Sequence, residues 1–272
     1  MSRPGDVSRR GEQDEEVLVG GTANRGLVVR VGNTVRRPVR PESGSTHALL
    51  RHLEETGFTG APRFLGHDGS DREVLSFIEG AAALPPYPDW ALDDRALGSV
   101  ASLLRAYHDA TEGFGGGDLP WTVTVCTAYR TGAVVCHGDP NLDNVVFRDG
   151  RAVGLIDFDL AAPGARLWDV AAAVRLWAPL RADEDVPDSR AGRAVERAAT
   201  FVDAYGMARA DRRQLVDAVL AHHDWAYEIV RTNAVDGHRH FAEYWQRGGA
   251  GRAVRSREWV LSHRRALEQA MG

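Results

Sequence analysis

The stretch "VVCHGDPNLDNVVF", residues 134–147, places three polar side chains at close spacing between apolar residues. Asp139 comes two residues after His137, and Asn144 comes five residues after Asp139. Two interpretations are open for this segment. Asp139 and Asn144 either cap turns of a loop, or their side chains lie close together and take part in a reaction.

A further carboxylate follows in "GLIDFD", residues 154–159. The runs "NVVF" and "AVGLID" predict two short strands joined by a turn at Asp149-Gly150. A hairpin brings its two ends together, so Asn144 and Asp157 are predicted to be neighbours.

This combination has the pattern of phosphoryl-transfer chemistry. The order His137-x-Asp139-x4-Asn144 has the spacing of the kinase catalytic loop, and Asp157-Phe158 falls where protein kinases carry Asp-Phe-Gly. Transfer of a γ-phosphoryl group requires magnesium held by oxygen ligands, and a carboxylate that accepts or orients the proton of the attacking hydroxyl. We therefore predict that Asn144 and Asp157 hold Mg²⁺ and that Asp139 accepts or orients the proton of the hydroxyl.

The segment "VCHGDPNLDNVVF…GLIDFD…LWDVAAAV" resembles the aminoglycoside phosphotransferase family, the small-molecule branch of the protein-kinase-like fold. The resemblance covers roughly residues 17–270 and is specific around the catalytic loop. It implies that Asp139 is the catalytic base, that His137 organises the loop and that Asp169 braces it. Asp159 either lines the substrate pocket or caps a turn.

The rest of the chain fits an α+β, protein-kinase-like fold of two lobes. Residues 1–16 are predicted to be a disordered tail, residues 17–80 a β-rich, nucleotide-binding N-lobe with one helix, and residues 81–272 a mainly helical C-lobe with the catalytic loop and substrate-binding helices. The N-lobe prediction comprises three antiparallel strands in "EEVLVGG" and "RGLVVRVGNTVRRPV", a helix in "STHALLRHLEETGF" capped by Ser45 or Thr46, and two strands in "PRFLGHD" and "REVLSFIEG". The C-lobe prediction comprises helices at about 93–110, at about 119–131 and over most of the chain after Leu167. The Pro-rich "AAALPPYPDW" is interpreted as the connector between the lobes.

The chain contains no lysine, although the resembling family holds nucleotide phosphates with a strand lysine paired to a helix glutamate. Alternation along "NTVRRPV" places Arg37 on the cleft face with Val35, so Arg37 is our candidate for the phosphate contact. A solvated strand residue is the alternative. No acidic residue stands where the helix glutamate is expected, near Thr46-His47.

Two further segments are candidates for nucleotide contacts. The turn "GGTANRG", with Thr22 and Asn24, is predicted to cover the phosphates, although glycines in a hairpin are also simply turn residues. The backbone of Ser76, Phe77 and Ile78 is predicted to contact the adenine edge as the hinge.

The acceptor is predicted to bind on the C-lobe helices. Asp224 and Glu228 are an i,i+4 acidic pair that repels unless a cation lies between them, and a polyamine such as an aminoglycoside is such a cation. The alternative is a solvated helix face.

The composition narrows the remaining functions. The chain has 272 residues and a net charge of −5 with no basic block, which argues against nucleic acid as a partner. Its two cysteines favour a cytoplasmic protein. We expect no membrane contact, and either a monomer or a homodimer. The prediction is an ATP- or GTP-dependent O-phosphotransferase that acts on a small molecule, with an aminoglycoside-type antibiotic as the leading acceptor. The alternatives are a kinase of an amino alcohol, a sugar or a homoserine-like metabolite, and a catalytically silent nucleotide-binding protein. A protein kinase is disfavoured because His-Arg-Asp and Ala-Pro-Glu are absent.

Overall fold

The computed structural model describes residues 15–18 and 26–272, apart from the side chain of His240. Its N-terminal part is an antiparallel sheet in the order β1-β2-β3-β5-β4, with one helix packed beside it. The strands are β1 Glu16–Val17, β2 Val29–Val31, β3 Thr34–Pro38, β4 Phe64–His67 and β5 Arg72–Ser76, and the helix is α1 Ser43–Glu55. This arrangement confirms the meander of the first three strands and the single helix.

The remainder is mainly helical, as predicted. Its helices are α2 Asp89–Leu92, α3 Asp94–Thr111, α4 Arg166–Trp177, α5 Ala194–Tyr205, α6 Arg209–Arg212, α7 Leu215–Val235, α8 Arg239–Tyr244 and α9 Ala250–Met271. Its short strands are β6 Ala81–Ala82, β7 Val134–Cys136, β8 Val145–Arg148, β9 Arg151–Leu155 and β10 Ala162–Gly164. The breaks that end α5 and α7 fall at Gly206 and Gly237, which adopt the left-handed conformation that glycine tolerates.

Helix α3 lies at the centre of the C-lobe core. Leu97, Val100 and Leu104 on this helix are fully buried, and the helix packs against α5 and β9. Helices α4 and α7 pack on each other, with Trp168 and Trp177 of α4 fully buried. Helix α4 therefore connects the core directly to the catalytic loop described below.

The predicted helix at 119–131 is wrong. This segment is a loop with a single 3-10 turn, Thr127–Tyr129. The run "TVTVCT" explains the difference, because β-branched side chains lose rotamer freedom in a helix. Val125 is instead buried against the small sheet formed by β7 and β10.

The predicted cap of α1 is also wrong. The helix begins at Ser43 with Glu42 as its N-cap residue, which is at least three residues before the predicted cap and makes no side-chain capping bond. Ser45 and Thr46 are buried inside the first turn, and the Ser45 hydroxyl donates to the carbonyl of Pro120, 2.6 Å away.

The connector contributes one strand that the sequence did not predict. Ala81 and Ala82 form β6, which pairs with β8 of the predicted hairpin. No helix in the described ranges is both long and apolar enough to cross a bilayer.

Candidate active site

The catalytic loop runs from the end of β7 to the start of β8 and is held from below by helix α4. The carboxylate of Asp169 is completely buried and accepts the backbone N–H groups of His137 at 2.7 Å and Gly138 at 3.0 Å. It also bonds Nε2 of His108 on α3 at 3.0 Å. Burial opposes ionisation of Asp169, but its interactions with His108 and His137 together outweigh burial and lower the pKa of the carboxyl.

His137 connects the loop to the strand that leads to Asp157. Its Nε2 bonds the carbonyl of Ile156 at 3.0 Å, and its ring packs on Phe158 at a centroid distance of 4.7 Å. His137 therefore joins the loop to the segment that follows β9 through one hydrogen bond and one ring contact.

The hairpin brings Asn144 and Asp157 to neighbouring positions. Strands β8 and β9 pair through the predicted turn at Asp149-Gly150, where both residues have positive φ. Beyond the last pair, the N–H of Ile156 donates to the carbonyl of Asn144 at 2.9 Å. Asp157 follows directly in a left-handed conformation, with φ 63° and ψ 70°.

Asn144 and Asp139 are in direct contact. Nδ2 of Asn144 donates to the Asp139 carbonyl at 3.0 Å and to its carboxylate Oδ2 at 3.1 Å. These bonds use the amide nitrogen of Asn144, so its Oδ1 remains as an oxygen donor.

The carboxyl groups of Asp139 and Asp157 both have pKa values above their ordinary range. Burial, with help from Asp143 and Asp157, raises the pKa of Asp139 to about 7. Burial and the neighbouring Asp159 raise the pKa of Asp157 to about 6, although Arg37 and Arg40 oppose the shift. Carboxyl groups whose pKa values are raised in this way are common at sites that bind a cation or transfer a proton.

The donor set fits a hard divalent cation such as Mg²⁺. Asn144 Oδ1 and the Asp157 carboxylate are oxygen ligands of the kind that Mg²⁺ prefers. No group of three or more His, Cys, Asp or Glu side chains in the described residues is arranged to hold a metal. A magnesium ion here would therefore need water or phosphate oxygens as its other ligands, which is its usual mode with nucleotides.

Arg37 is buried and connects the two lobes. It bonds Glu73 of β5, and its Nη1 and Nη2 lie 3.4 Å from Asp157 and 2.9 Å from Asp159. Despite its burial, these carboxylates raise the pKa of its guanidinium. The solvated alternative for Arg37 is wrong, because only 8% of the residue is exposed.

Glu73 supplies the acidic partner that the sequence did not reveal. It is 1% exposed, and its second oxygen lies 2.5 Å from Nε2 of His47 on α1. The ring of His47 stacks on Phe64 at 3.7 Å. The acid is therefore on the adjacent strand rather than on the helix, and α1 contributes a histidine.

Asp159 makes a contact that neither of its two interpretations included. Its Oδ1 faces Arg37, and its Oδ2 lies 2.8 Å from Arg40 Nη1. Asp159 is thus part of an ion-pair network between the lobes.

Two backbone N–H groups of the predicted hinge already donate hydrogen bonds within the chain. The N–H of Ser76 donates to the carbonyl of Arg63, and the N–H of Phe77 donates to that of Asn33, both at 2.9 Å. The Phe77 ring also lies 3.7 Å from the guanidinium of Arg30. Thr22 and Asn24 lie outside the described residues.

Asp224 and Glu228 are each paired with arginine. Asp224 accepts from Arg257 of α9 at 2.9 Å, and Glu228 accepts from Arg231 at 2.9 Å. The mutual repulsion that favoured a polyamine is therefore already neutralised within the chain.

Several residues of the site have no sequence motif. Glu73 depends on the register of β5 against β3, where Arg37 is directly opposite it. Asp143, one residue before Asn144, is the strongest charged influence on Asp139. The one sequence feature that could have pointed to Asp143 is its position between Asp139 and Asn144.

The sequence of this chain is similar to those of known proteins. Residues 126–215 match the model of the phosphotransferase enzyme family. The chain is 35% identical to the trifolitoxin immunity protein of Rhizobium leguminosarum bv. trifolii over 271 residues, which cover 95% of this chain and 99% of that protein. It is also 32% identical to the homoserine kinase of Granulibacter bethesdensis over 156 residues, about half of each protein: 54% of this chain and 49% of the kinase.

A solved structure has the same fold. The choline/ethanolamine kinase family protein from Mesorhizobium loti superimposes with a TM-score of 0.59 and 19% identity, covering 97% of this chain and 94% of that one. The arrangement of a sheet-containing lobe on a helical lobe is therefore that of the protein-kinase-like fold.

Proposed function

Because the chain belongs to the phosphotransferase enzyme family, we propose that it transfers the γ-phosphoryl group of ATP or GTP to a hydroxyl group of a small molecule. The observation that carries this proposal is the convergence of Asp139, Asn144 and Asp157 at one end of the β8–β9 hairpin. If the loop only capped turns, it would not need the Asp139 carboxylate to lie beside the Asn144 amide and close to the Asp157 carboxylate.

Each residue has a part in the proposed transfer. Asp139 accepts the proton as the acceptor oxygen attacks the γ-phosphorus, and the bond to the β–γ bridging oxygen breaks to give a phosphate ester and a nucleoside diphosphate. Asn144 Oδ1 and Asp157 would hold Mg²⁺, which neutralises phosphate charge when bound. His137 and Asp169 fix the loop that carries Asp139.

Arg37 takes the phosphate-binding role that a lysine has in the resembling family. Its guanidinium is always charged and can fork onto two phosphate oxygens. Glu73 holds the group in place, while the Asp157 and Asp159 contacts can be exchanged for phosphate when nucleotide enters the cleft. Of the hinge, the Ile78 backbone is our candidate for the adenine edge, because the Ser76 and Phe77 N–H groups are already engaged.

The test is Asp139→Ala with Glu258→Gln, an exposed carboxylate on α9, as the matched control. We expect the rate of Mg²⁺-dependent transfer to fall by about two to four orders of magnitude in Asp139→Ala, with nucleotide affinity nearly unchanged. Glu258→Gln should behave as wild type. Turnover retained by Asp139→Ala would refute the assigned role, and tight nucleotide binding without turnover in the wild type would favour a silent nucleotide-binding protein.

Inactivation of an antibiotic or toxin is the second candidate function. It is favoured by the 35% identity to an immunity protein over almost the whole chain. Expression in a sensitive bacterium, followed by growth with the toxin, tests this function. An Asp139→Ala variant that protects equally well would separate immunity from phosphoryl transfer.

A further inference from the structure

We propose that Tyr205 of α5 is a positioning residue for phosphoryl transfer. Its hydroxyl group fixes His108, and His108 in turn holds Asp169 against the backbone of the catalytic loop. This inference rests on the proposed phosphotransferase function and adds to it two residues that are buried behind the loop. The series of contacts begins at the end of a helix remote in sequence from the loop and ends one residue before Asp139.

The backbone around Tyr205 is held in place by the end of α5. Tyr205 is the last residue of that helix, and Gly206 follows it with a φ of +74°. The N–H of Gly206 donates to the carbonyl of Asp203 at 3.0 Å, which closes the helix end. The side chain of Tyr205 is buried, and α5 packs directly on α3. The hydroxyl group of Tyr205 therefore has a defined position inside the C-lobe.

His108 of α3 uses both of its ring nitrogens. Nδ1 lies 2.7 Å from the hydroxyl oxygen of Tyr205, and Nε2 lies 3.0 Å from Oδ2 of Asp169. His108 and Asp169 are both completely buried, so neither can exchange these contacts for water. An ionised carboxylate can only accept, so Nε2 carries the hydrogen of the second bond. The bond at Nδ1 fixes the ring in the orientation in which Nε2 faces Asp169.

Asp169 passes this restraint to the catalytic loop. The same Oδ2 that bonds His108 also accepts the backbone N–H of His137, and Oδ1 accepts that of Gly138. Asp139 is the next residue along the chain. Buried hydrogen bonds that share a group depend on one another, so a displaced Asp169 would move the two N–H groups that set the position of Asp139. Misplacement of a catalytic group by about 1 Å can reduce a rate by about a hundredfold.

A second buried tyrosine provides the contrast. Tyr107 precedes His108 on α3 and is completely buried, yet its hydroxyl has no hydrogen-bond partner in the part of the chain that the structure describes. Removing the hydroxyl of Tyr107 would leave no group unpaired. Removing that of Tyr205 would leave Nδ1 of His108 buried without a partner, which costs free energy and frees the ring to turn. The two tyrosines therefore separate the effect of the bond from that of a buried phenol.

The first experiment compares Tyr205→Phe with Tyr107→Phe as the matched control. Steady-state transfer from ATP with Mg²⁺ is measured to whichever of kanamycin, ethanolamine and L-homoserine the wild type phosphorylates fastest. We expect kcat of Tyr205→Phe to fall about tenfold and its KM for ATP to change by less than about twofold, because Asp139 is displaced while the nucleotide contacts remain. Tyr107→Phe should keep the kcat of the wild type, and an equal fall in both variants would overturn the inference.

His108→Gln tests whether the Tyr205 hydroxyl acts through the histidine. The substitution keeps an N–H donor for Asp169 but removes the ring nitrogen that Tyr205 bonds. Because the two substitutions remove the same contact, we expect Tyr205→Phe to cause no further fall in kcat in this background. Additive losses in the double variant would show that Tyr205 acts by another route and would overturn the inference.

Amide hydrogen exchange, followed by NMR, reports on the loop without any turnover. We expect the N–H groups of His137 and Gly138 to exchange about tenfold faster in Tyr205→Phe than in the wild type. The N–H of Ala178, which donates to the Val174 carbonyl at the end of α4, should change less, because the effect is local rather than a general loss of stability.

The two measurements separate this inference from the proposed function. Transfer by the wild type with an unchanged kcat in Tyr205→Phe would overturn the inference and support the phosphotransferase, even if the melting temperature of the variant falls. Faster exchange at His137 and Gly138 in Tyr205→Phe, with no transfer by the wild type to any of the three acceptors, would support the positioning contact and count against the proposed function.

Discussion

The backbone conformation at Gly138 explains why the loop has glycine at the position where protein kinases have arginine. Its φ is +82°, and a Cβ at this position would lie 2.1 Å from the carbonyl oxygen of Leu160. The backbone after Asp157 therefore packs directly on the catalytic loop.

Gly138→Ala should displace the loop. Positive φ costs a non-glycine residue about 1 kcal/mol or more, and the steric overlap adds to this. We expect a lower melting temperature and a transfer rate reduced by at least about tenfold. Gly44→Ala, in α1 with nothing within 4 Å of its added Cβ, should be neutral or stabilising.

The raised pKa of Asp139 predicts an unusual pH dependence of stability. Because the folded carboxyl titrates near 7 and the unfolded one near its ordinary value, the folded state binds more protons between these values. Stability of the nucleotide-free protein should therefore fall as pH rises from about 4 to about 7.

Asp139→Asn removes this contribution. We expect the variant to be more stable than the wild type at pH 8, by about 1–4 kcal/mol in free energy of unfolding, and the difference to shrink at pH 5. Urea denaturation at both pH values measures it. A variant less stable than the wild type at pH 8 would contradict the prediction.

At the residue scale, the sequence predicted what spacing can encode. Asn144 and Asp157 are neighbours because the hairpin that turns at Asp149-Gly150 brings its two ends together, although the register shifts between Val146 and Phe147. Glu73 had no such signal, because its place opposite Arg37 depends on the register of β5 against β3.

At the scale of elements, Glu73 couples β3, β5 and α1. It lies opposite Arg37 in the sheet and contacts His47 of the helix. Burial lowers the pKa of His47, although Glu73 opposes the shift. The orientation of Arg37 therefore depends on Glu73, which is itself in contact with the helix through His47.

Glu73→Gln should weaken both the fold and nucleotide binding. Removing one member of a buried ion pair typically costs about 3–5 kcal/mol because the other charge is left uncompensated. The contacts of Arg37 with Asp157 and Asp159 offset part of this cost, so we expect about 2–3 kcal/mol in urea denaturation. Nucleotide titration should show affinity reduced about tenfold.

Glu54→Gln is the matched control. Glu54 forms an exposed pair with Arg63 at 3.3 Å, and such pairs contribute at most about 1 kcal/mol. Equal effects of the two substitutions would show that burial of Glu73 has no importance for the site.

Elements with strong local signals were predicted correctly, and the failures have physical causes. Helix α3 and the β8–β9 hairpin have clear periodicity or turn residues. The segment 119–131 has apolar residues but a β-branched run, and its packing on β7 and β10 determines its loop conformation. Strand β6, two alanines long, exists only through its pairing with β8.

At the scale of the whole molecule, four charges connect the lobes across the cleft. Arg37 and Arg40 of the sheet-containing lobe face Asp157 and Asp159 of the helical lobe. The two-lobe fold could be predicted from the order of elements, but this ion-pair network could not, because β3 and the segment after β9 are far apart in sequence.

Asp159→Asn should weaken the contact between the lobes. The variant keeps the size of the side chain but removes the charge that contacts both arginines. We expect faster proteolysis of the connector between the lobes in low salt, and high salt should accelerate cleavage of the wild type toward the rate of the variant. Unchanged cleavage of Asp159→Asn in low salt would show that the network does not hold the lobes together.

The arginine on β3 also has a practical consequence for detection. Nucleotide probes that acylate the active-site amine of kinases have no side-chain amine to modify in a chain without lysine. Chemical proteomic surveys based on such reagents would miss this protein even when it binds nucleotide, whereas guanidine-directed dicarbonyl reagents could report on occupancy of its cleft.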